Sequence, residues 1–296
     1  MKIPIFKDVA RQAEFDQDGF TKLSVFSVQE IEALKALCAN YFPNNDNVFF
    51  SSSYLDDFDK KMEMSNAITS FIKPIINKHF TDYRLIGSAF LIKGTGPKSE
   101  MPMHQDWTII DEHEFYAANV WIPLIETNEE NGTIEVLKGS HNWNEGVRAP
   151  TLPFFFHGLE EDMKKGLTVI PAKIGEIVVL NQAVVHYSKP NLSDTVRPAI
   201  TCGLISEKAP LRFHYWSQER SEEIELFEQE DDFLLRFEHF HEAIYKRPLM
   251  GKSLGFKPYQ HPKLTRESIY DLIGEPLPTD LEKKKPSLLA RIFGRS

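Results

Sequence analysis

Cysteine is scarce in this chain of 296 residues, and the two that occur, Cys38 and Cys202, lie far apart in the sequence. This scarcity excludes a disulfide framework and a cysteine-rich zinc site. Long apolar runs are also missing: no segment approaches the roughly 20 apolar residues that span a bilayer, and the N-terminus MKIPIFKDVARQAEF is too polar for a secretory signal. These absences predict a reduced, cytoplasmic protein without a transmembrane segment.

An excess of positive charge is missing as well, because 34 Lys and Arg residues stand against 43 Asp and Glu residues, giving a formal net charge of −9. This balance argues against a nucleic-acid partner. The C-terminal stretch KKKPSLLARIFGRS is a local exception, since it is basic with interleaved apolar residues. We expect residues 280–296 to form a flexible, solvated tail. A weak contact of this tail with an anionic surface or partner is the alternative.

The hydrophobic pattern changes twice along the chain. Helical spacing and a capping pattern at Ser27 predict helices over about 27–80. From 83 to 216, short segments rich in β-branched and aromatic residues alternate with turn residues, which predicts strands. Helical character returns over 217–275. Many short strands without long helices between them favour a sandwich or barrel, so we predict a mainly β core with flanking helices, in a single domain over 1–296.

The segment PMHQDWTI places His104 and Asp106 two residues apart, and on a strand such residues face the same side. His186 follows the predicted strand GEIVVLNQ, and Arg197 begins the next one. Two histidines and a carboxylate form the facial ligand set of non-heme iron oxygenases. An arginine pairs bidentately with a carboxylate, such as the distal one of 2-oxoglutarate. His104 and Asp106 alone would suggest an ordinary hydrogen-bonded pair, whereas all four residues together favour a metal site.

These residues belong to a series of motifs that resembles the phytanoyl-CoA dioxygenase family of iron(II)- and 2-oxoglutarate-dependent oxygenases. The resemblance covers roughly residues 83–206. Its motifs, in the order of the family, are HQD at 104–106, NVWIPL at 119–124, ENGTIEVLKGSH at 130–141, GEIVVL at 175–180 and HYSKPN…R at 186–197.

The resemblance implies a double-stranded β-helix, the cupin-like jelly roll, with a catalytic metal inside its mouth. It implies iron(II) as the metal and His104, Asp106 and His186 as its ligands. Relatives that chlorinate their substrates replace the ligand carboxylate with a small residue. Because Asp106 is present here, hydroxylation or another oxidation is favoured over halogenation.

The same resemblance implies 2-oxoglutarate as co-substrate. Arg197 would bind its distal carboxylate with help from the Ser188 hydroxyl, and Trp121 would line the co-substrate pocket. Asn119 lies on the same strand face as Trp121 by period-2 spacing, so we include it in the pocket.

The substrate is not evident, because a fold does not determine its ligand. Its selectivity is expected to depend on the loops over 42–59, 94–103 and 144–166. The last of these, EGVRAPTLPFFFHGLEEDMKKG, is expected to form a lid, with Phe155 touching the substrate and Arg148 contacting an anionic group. Trp107 fits a pocket wall and the core equally well.

The implied reaction is hydroxylation of a C–H bond of a small organic substrate by dioxygen, with release of succinate and CO2. Two alternatives stay open. One is a cupin-like metalloenzyme that does not use 2-oxoglutarate, and the other is a catalytically silent jelly-roll binding protein.

Overall fold

The computed structural model describes residues 2–42 and 48–278. Within these ranges, the α-helices are α1 (Val9–Asp18), α2 (Val28–Tyr41), α3 (Phe58–Ile76), α4 (Glu160–Met163), α5 (Phe240–Ala243) and α6 (Arg266–Ile273). The strands are β1 (Phe20–Ser24), β2 (Phe49–Ser51), β3 (Tyr83–Lys93), β4 (Met101–His104), β5 (Ala117–Pro123), β6 (Ile134–Val136), β7 (Thr168–Ile170), β8 (Glu176–Asn181), β9 (His186–Ser188), β10 (Arg197–Ser206), β11 (Leu211–Tyr215), β12 (Glu223–Gln229) and β13 (Lys252–Pro258).

Two antiparallel sheets form the core of the fold. The larger one has the strand order β1-β8-β5-β10-β3-β2, and the smaller one has the order β4-β9-β6-β7. Side chains from both sheets pack in one apolar layer: Phe20, Trp121, Ile134, Val136, Ile170, Ala172, Val178, Leu180, Val184 and Ala199. This arrangement confirms the predicted fold class, a mainly β jelly roll with flanking helices.

Alternation along the strands assigns one face of the larger sheet to the helices and leaves the other for the interior. On β5, Val120 and Ile122 pack in the same cluster as residues of α2 and α3, whereas Trp121 faces the smaller sheet. The start of α2 is fixed by the predicted cap: the Ser27 hydroxyl accepts from the Glu30 backbone N–H at 3.2 Å, and the Glu30 carboxylate accepts from the Ser27 N–H at 2.7 Å. The helices therefore close the outer face, and the inner face remains available for a site.

The predicted β region is correct in position but too short. β3 and β10 coincide with the segments YRLIGSAFLIK and RPAITCGLIS, yet the larger sheet also takes β1 and β2 from the part of the chain before residue 83. Among the described residues, none of the helices has the length and apolar character needed to cross a membrane.

The prediction of a helical region over 217–275 is wrong in most of its length. Residues Glu223–Gln229 form β12, which pairs with β11 on one side and β13 on the other. The glutamates of this segment favour a helix locally, but Glu225 is buried on the strand and accepts two hydrogen bonds from Arg247, at 2.7 and 2.6 Å. This distant ion pair and the strand pairing outweigh the local propensity. The single-domain organisation stays a prediction, and the basic tail 280–296 lies outside the described residues.

Candidate metal centre

His104 and His186 face each other across two paired strands. His104 ends β4, His186 begins β9, and the two are register partners whose ring centroids are 4.1 Å apart. Asp106 lies two residues beyond the end of β4. One donor atom from each of these three residues lies within 4.8 Å of the other two. The structure therefore brings together the three residues that were predicted from the sequence to be metal ligands.

Backbone carbonyls orient both imidazole rings. Nδ1 of His104 lies 2.7 Å from the Pro102 carbonyl oxygen, and Nδ1 of His186 lies 3.1 Å from that of Val184. When Nδ1–H donates to a carbonyl, Nε2 carries the free lone pair. Burial and the neighbouring His186 lower the pKa of His104 to about 4, against the opposing effect of Asp106. His104 is thus neutral at neutral pH, the form that binds a metal.

Asp106 is held from two sides. Its Oδ2 accepts a hydrogen bond of 3.2 Å from the Asn119 amide, and the Asn119 carbonyl oxygen accepts one from the Thr201 hydroxyl. The backbone carbonyl of Asp106 accepts a hydrogen bond of 2.8 Å from Nε of Arg148. Strand alternation predicted the face on which Asn119 lies, but not its bond to Asp106, because that contact joins parts of the chain that only the fold brings together.

A cavity of about 180 Å³ extends from this cluster between the two sheets. Its lining residues are Phe49, Ser51, Tyr54, Leu91, Met101, His104, Asp106, Asn119, Trp121, Ile134, Leu180, His186, Tyr187, Ser188, Arg197 and Thr201. All seven residues predicted to bind the metal or the co-substrate are in this set.

Arg197 is a buried cation that has no counter-charge within residues 2–42 and 48–278. Its side chain is 2% exposed, and its guanidinium lies 5.1 Å from the centre of the Trp121 ring. Its Nε and Nη1 atoms have no hydrogen-bond partner in the part of the chain that the structure describes. Burial lowers the pKa of Arg197 to about 9, so the group remains charged at neutral pH. Because an unpaired buried charge is costly, this position favours an anion.

The two other polar groups near Arg197 are already engaged. Nζ of Lys93, its register partner on β3, donates to the carbonyl oxygens of Ser99 at 2.6 Å and Ser188 at 3.3 Å. The Ser188 hydroxyl donates to the Gly132 carbonyl at 2.7 Å. Ser188 therefore lines the cavity as predicted, but its one proton is not free for a carboxylate in this arrangement.

Arg148, which the sequence predicts to contact an anionic substrate group, is absent from the lining of this cavity. It is 6% exposed, and its two terminal nitrogens bind the Glu112 carboxylate at 2.9 and 2.5 Å. Together with its bond to the Asp106 carbonyl, this engages all three guanidinium nitrogens. Arg148 supports the segment that carries Asp106.

Phe155 and Trp107 are likewise absent from the cavity lining. Phe155 is 7% exposed in an apolar cluster with Phe156 and residues of β4 and β9. Trp107 stacks on Phe240 with ring centroids 5.9 Å apart and contacts Phe213 at 5.9 Å. Their aromatic side chains made both residues candidates for substrate contact, but in the structure both pack against other apolar side chains.

The lining contains residues that the sequence prediction located only as loops or missed. Phe49, Ser51 and Tyr54 come from the loop over 42–59, and Met101 comes from the loop over 94–103. Leu91, Ile134 and Leu180 were not predicted. Their place in the lining follows from strand pairing, such as that of Leu180 with Asn119, which the sequence pattern alone does not give.

The region that contains the candidate site also matches a known protein family. A model of the family described as "Phytanoyl-CoA dioxygenase (PhyH)" matches residues 15–199, more than half of the chain. The chain belongs to the PhyH family. This assignment confirms the resemblance inferred from the five motifs.

Curated relatives of this PhyH-family chain match part of its length. The "Phytanoyl-CoA dioxygenase domain-containing protein 1 homolog" of Dictyostelium discoideum is 31% identical over 159 residues, covering 51% of this chain and 57% of that protein. "Phytanoyl-CoA dioxygenase domain-containing protein 1" of Danio rerio is 32% identical over 143 residues, covering 46% of this chain and 48% of that protein. The chain thus spans about half the length of the curated relatives it matches.

Among solved structures, the fold is similar to that of the "non-heme alpha ketoglutarate dependent carbocyclase SnoK from nogalamycin biosynthesis". The TM-score is 0.52 at 18% sequence identity, and the match covers 69% of this chain and 86% of that one. At this identity the likeness is one of fold, and it agrees with the jelly-roll architecture of the PhyH-family chain.

Proposed function

We propose that this PhyH-family protein is an iron(II)- and 2-oxoglutarate-dependent oxygenase that hydroxylates a C–H bond of a small organic substrate. The observation that carries the proposal is a single cavity lined by three convergent donor groups and by a buried, unpartnered arginine. A metalloenzyme that does not use 2-oxoglutarate would not need the arginine. A silent binding protein would need neither feature.

The donor set fits iron(II). Two imidazole Nε2 atoms and one carboxylate oxygen, from His104, His186 and Asp106, would hold one face of the metal and leave the opposite positions open. The carbonyl contacts of the two rings and the Asn119 contact of the carboxylate fix these donors before a metal binds. Iron(II) with 2-oxoglutarate and dioxygen supplies the oxidising chemistry, which releases succinate and CO2.

Arg197 is the group that would hold the distal carboxylate of 2-oxoglutarate. Its unpartnered N–H groups offer a charge-assisted bidentate contact, and the Trp121 ring beneath it keeps the guanidinium plane in place. The low exposure of Arg197 excludes water and strengthens the ion pair that would form. An anion here offsets the cost of burying the cation.

The rest of the wall would receive the substrate beside the metal ligands. Its largely apolar lining excludes water from the reacting C–H bond. A cytoplasmic location belongs to the same proposal and is supported by Cys38 and Cys202, which are both free and buried.

The test is an anaerobic titration with iron(II) and then 2-oxoglutarate, which follows the weak visible charge-transfer band of the chelate. Wild type is expected to develop the band, and Arg197→Ala is expected to need on the order of 100-fold more 2-oxoglutarate. Arg212→Ala is the matched control, because Arg212 pairs with Asp111 at 2.9 Å and does not line the cavity.

Each other outcome points to a different class. A wild-type protein that binds iron without the band would favour the metalloenzyme that does not use 2-oxoglutarate. A protein that binds no iron would favour the silent binding protein. A band with equal co-substrate demand in wild type and Arg197→Ala would remove Arg197 from its role.

A further inference from the structure

Tyr54 lines the cavity where β2 ends at the edge of the larger sheet. Its ring is fixed by neighbouring rings: the centroids of Phe50, Phe240 and His241 lie 6.2, 5.1 and 4.5 Å from its own. Its hydroxyl has no hydrogen-bond partner among residues 2–42 and 48–278. The ring of Tyr54 is therefore fixed by packing, while its hydroxyl group makes no hydrogen bond within the described residues.

The other hydroxyl groups of the lining differ from Tyr54 in this respect. Their partners are Glu100 for Tyr187, Ser53 for Ser51, the Gly132 carbonyl for Ser188 and Asn119 for Thr201. Burial also raises the pKa of Tyr54, so that it keeps its proton at neutral pH. Of the hydroxyl groups in the described lining, that of Tyr54 is free to donate to a bound molecule.

The remaining wall is apolar or already assigned. The only charged or titratable acid–base groups of the described lining, apart from tyrosine, are the three candidate ligands and Arg197. The residues that complete the space are Phe49, Leu91, Met101, Ile134 and Leu180. A second anionic or cationic group inside this space would have no partner and would bear the full cost of desolvation.

Building on the function proposed above, we propose that Tyr54 determines substrate specificity by donating a hydrogen bond to a neutral oxygen of the substrate. The part of the substrate inside the cavity is uncharged and otherwise apolar, and its acceptor is a carbonyl, ether or hydroxyl oxygen. The cavity of about 180 Å³ would also hold 2-oxoglutarate between Arg197 and the metal ligands, so the part of the substrate beside them is limited to a small ring or a short chain.

The test compares two probes of nearly equal shape, cyclohexanone and methylenecyclohexane, by ligand-observed NMR titration. Wild type is expected to bind the ketone about five-fold more tightly than the alkene, which is the strength of a neutral hydrogen bond. Tyr54→Phe is expected to abolish this preference and to leave alkene binding unchanged. Tyr187→Phe is the matched control, because its hydroxyl is bound to Glu100, and it should keep the preference.

The titrations are run on the metal-free protein and again with iron(II) and 2-oxoglutarate under anaerobic conditions, where cyclohexanecarboxylate is added as a third probe. An equal ketone preference in wild type and Tyr54→Phe would overturn the role of Tyr54. Tighter binding of the carboxylate than of the ketone would overturn the neutral substrate class. A missing charge-transfer band would instead contradict the proposed function. The role of Tyr54 would still be tested in that case, because the titrations of the metal-free protein do not depend on the band.

Discussion

Two buried arginines near the candidate metal centre have opposite surroundings. Arg148 engages all three guanidinium nitrogens with Glu112 and the Asp106 carbonyl, whereas Nε and Nη1 of Arg197 have no partner among the described residues. Both are at most 6% exposed. Burial alone thus does not distinguish a cation that the fold uses from one that is left for a ligand. The two cases are distinguished by whether the guanidinium nitrogens already have hydrogen-bond partners in the protein.

The largest effect on stability is expected at the arginine that the fold uses. Arg148→Met should lower the free energy of unfolding by about 3 kcal/mol, because it leaves Glu112 and the Asp106 carbonyl unpaired. Arg197→Met should not lower it, since an unpaired buried charge is removed. Urea unfolding of both variants measures the difference, and equal losses would contradict the contrast between the two sites.

Lys93 extends the comparison to a third buried basic group, one that makes hydrogen bonds but has no ion pair within the described residues. Burial, and then the charge of Arg197, lowers its pKa to about 7 against the effect of Glu100. The unfolded chain therefore binds more protons than the folded one from about pH 7 up to the ordinary lysine pKa, and stability rises with pH in this window. Between pH 7 and 9 the wild type should gain about 2 kcal/mol relative to Lys93→Met; parallel pH profiles would refute the shift.

A variant of Asn119 tests how much metal binding by the Asp106 carboxylate depends on the hydrogen bond from the Asn119 amide. The backbone of Asp106 is already held by Arg148. Asn119→Ala should weaken iron(II) binding about 10-fold through loss of the hydrogen bond to Asp106. Asn142→Ala is a control for an asparagine outside the cavity. Calorimetric titration under anaerobic conditions measures both, and unchanged affinity in Asn119→Ala would mean that the backbone contact suffices.

The smallest effect is expected at Ser188, a cavity residue whose proton the fold uses. Ser188→Ala should change 2-oxoglutarate affinity by less than about two-fold and cost about 1 kcal/mol of stability, through the lost bond to the Gly132 carbonyl. A large loss of co-substrate affinity, measured by the charge-transfer titration, would show that the hydroxyl turns towards the ligand on binding.

The strands that form the site were predictable because their pattern is local. β3 and β10 have clear turn residues at their ends and β-branched or aromatic residues between them, so both were located with their bounds. His104, Asp106, His186 and Arg197, selected by their spacing and by the family resemblance, all line the cavity. Which of these residues bind which ligand stays a prediction until it is measured.

The differences between the sequence-based expectations and the structure concern residues whose environment depends on distant partners. Glu225 is placed on a strand by Arg247, and Arg148 is withdrawn from the cavity by Glu112. Phe155 was expected in a lid over the substrate but packs in an apolar cluster with residues of β4 and β9. In each case the side chain has the chemistry that was inferred, and a contact far away in sequence determines where that chemistry is used.

The pairing of His104 with His186 couples metal binding to the stability of the strands at the rim of the jelly roll. Since the two residues face each other across β4 and β9, a metal bound to both would act as a cross-link between the strands, and its binding energy would add to the stability of their pairing. Amide protons of β4 and β9 would then exchange more slowly as metal concentration rises. Metal supply would in this way set the rate at which the edge of the sandwich opens.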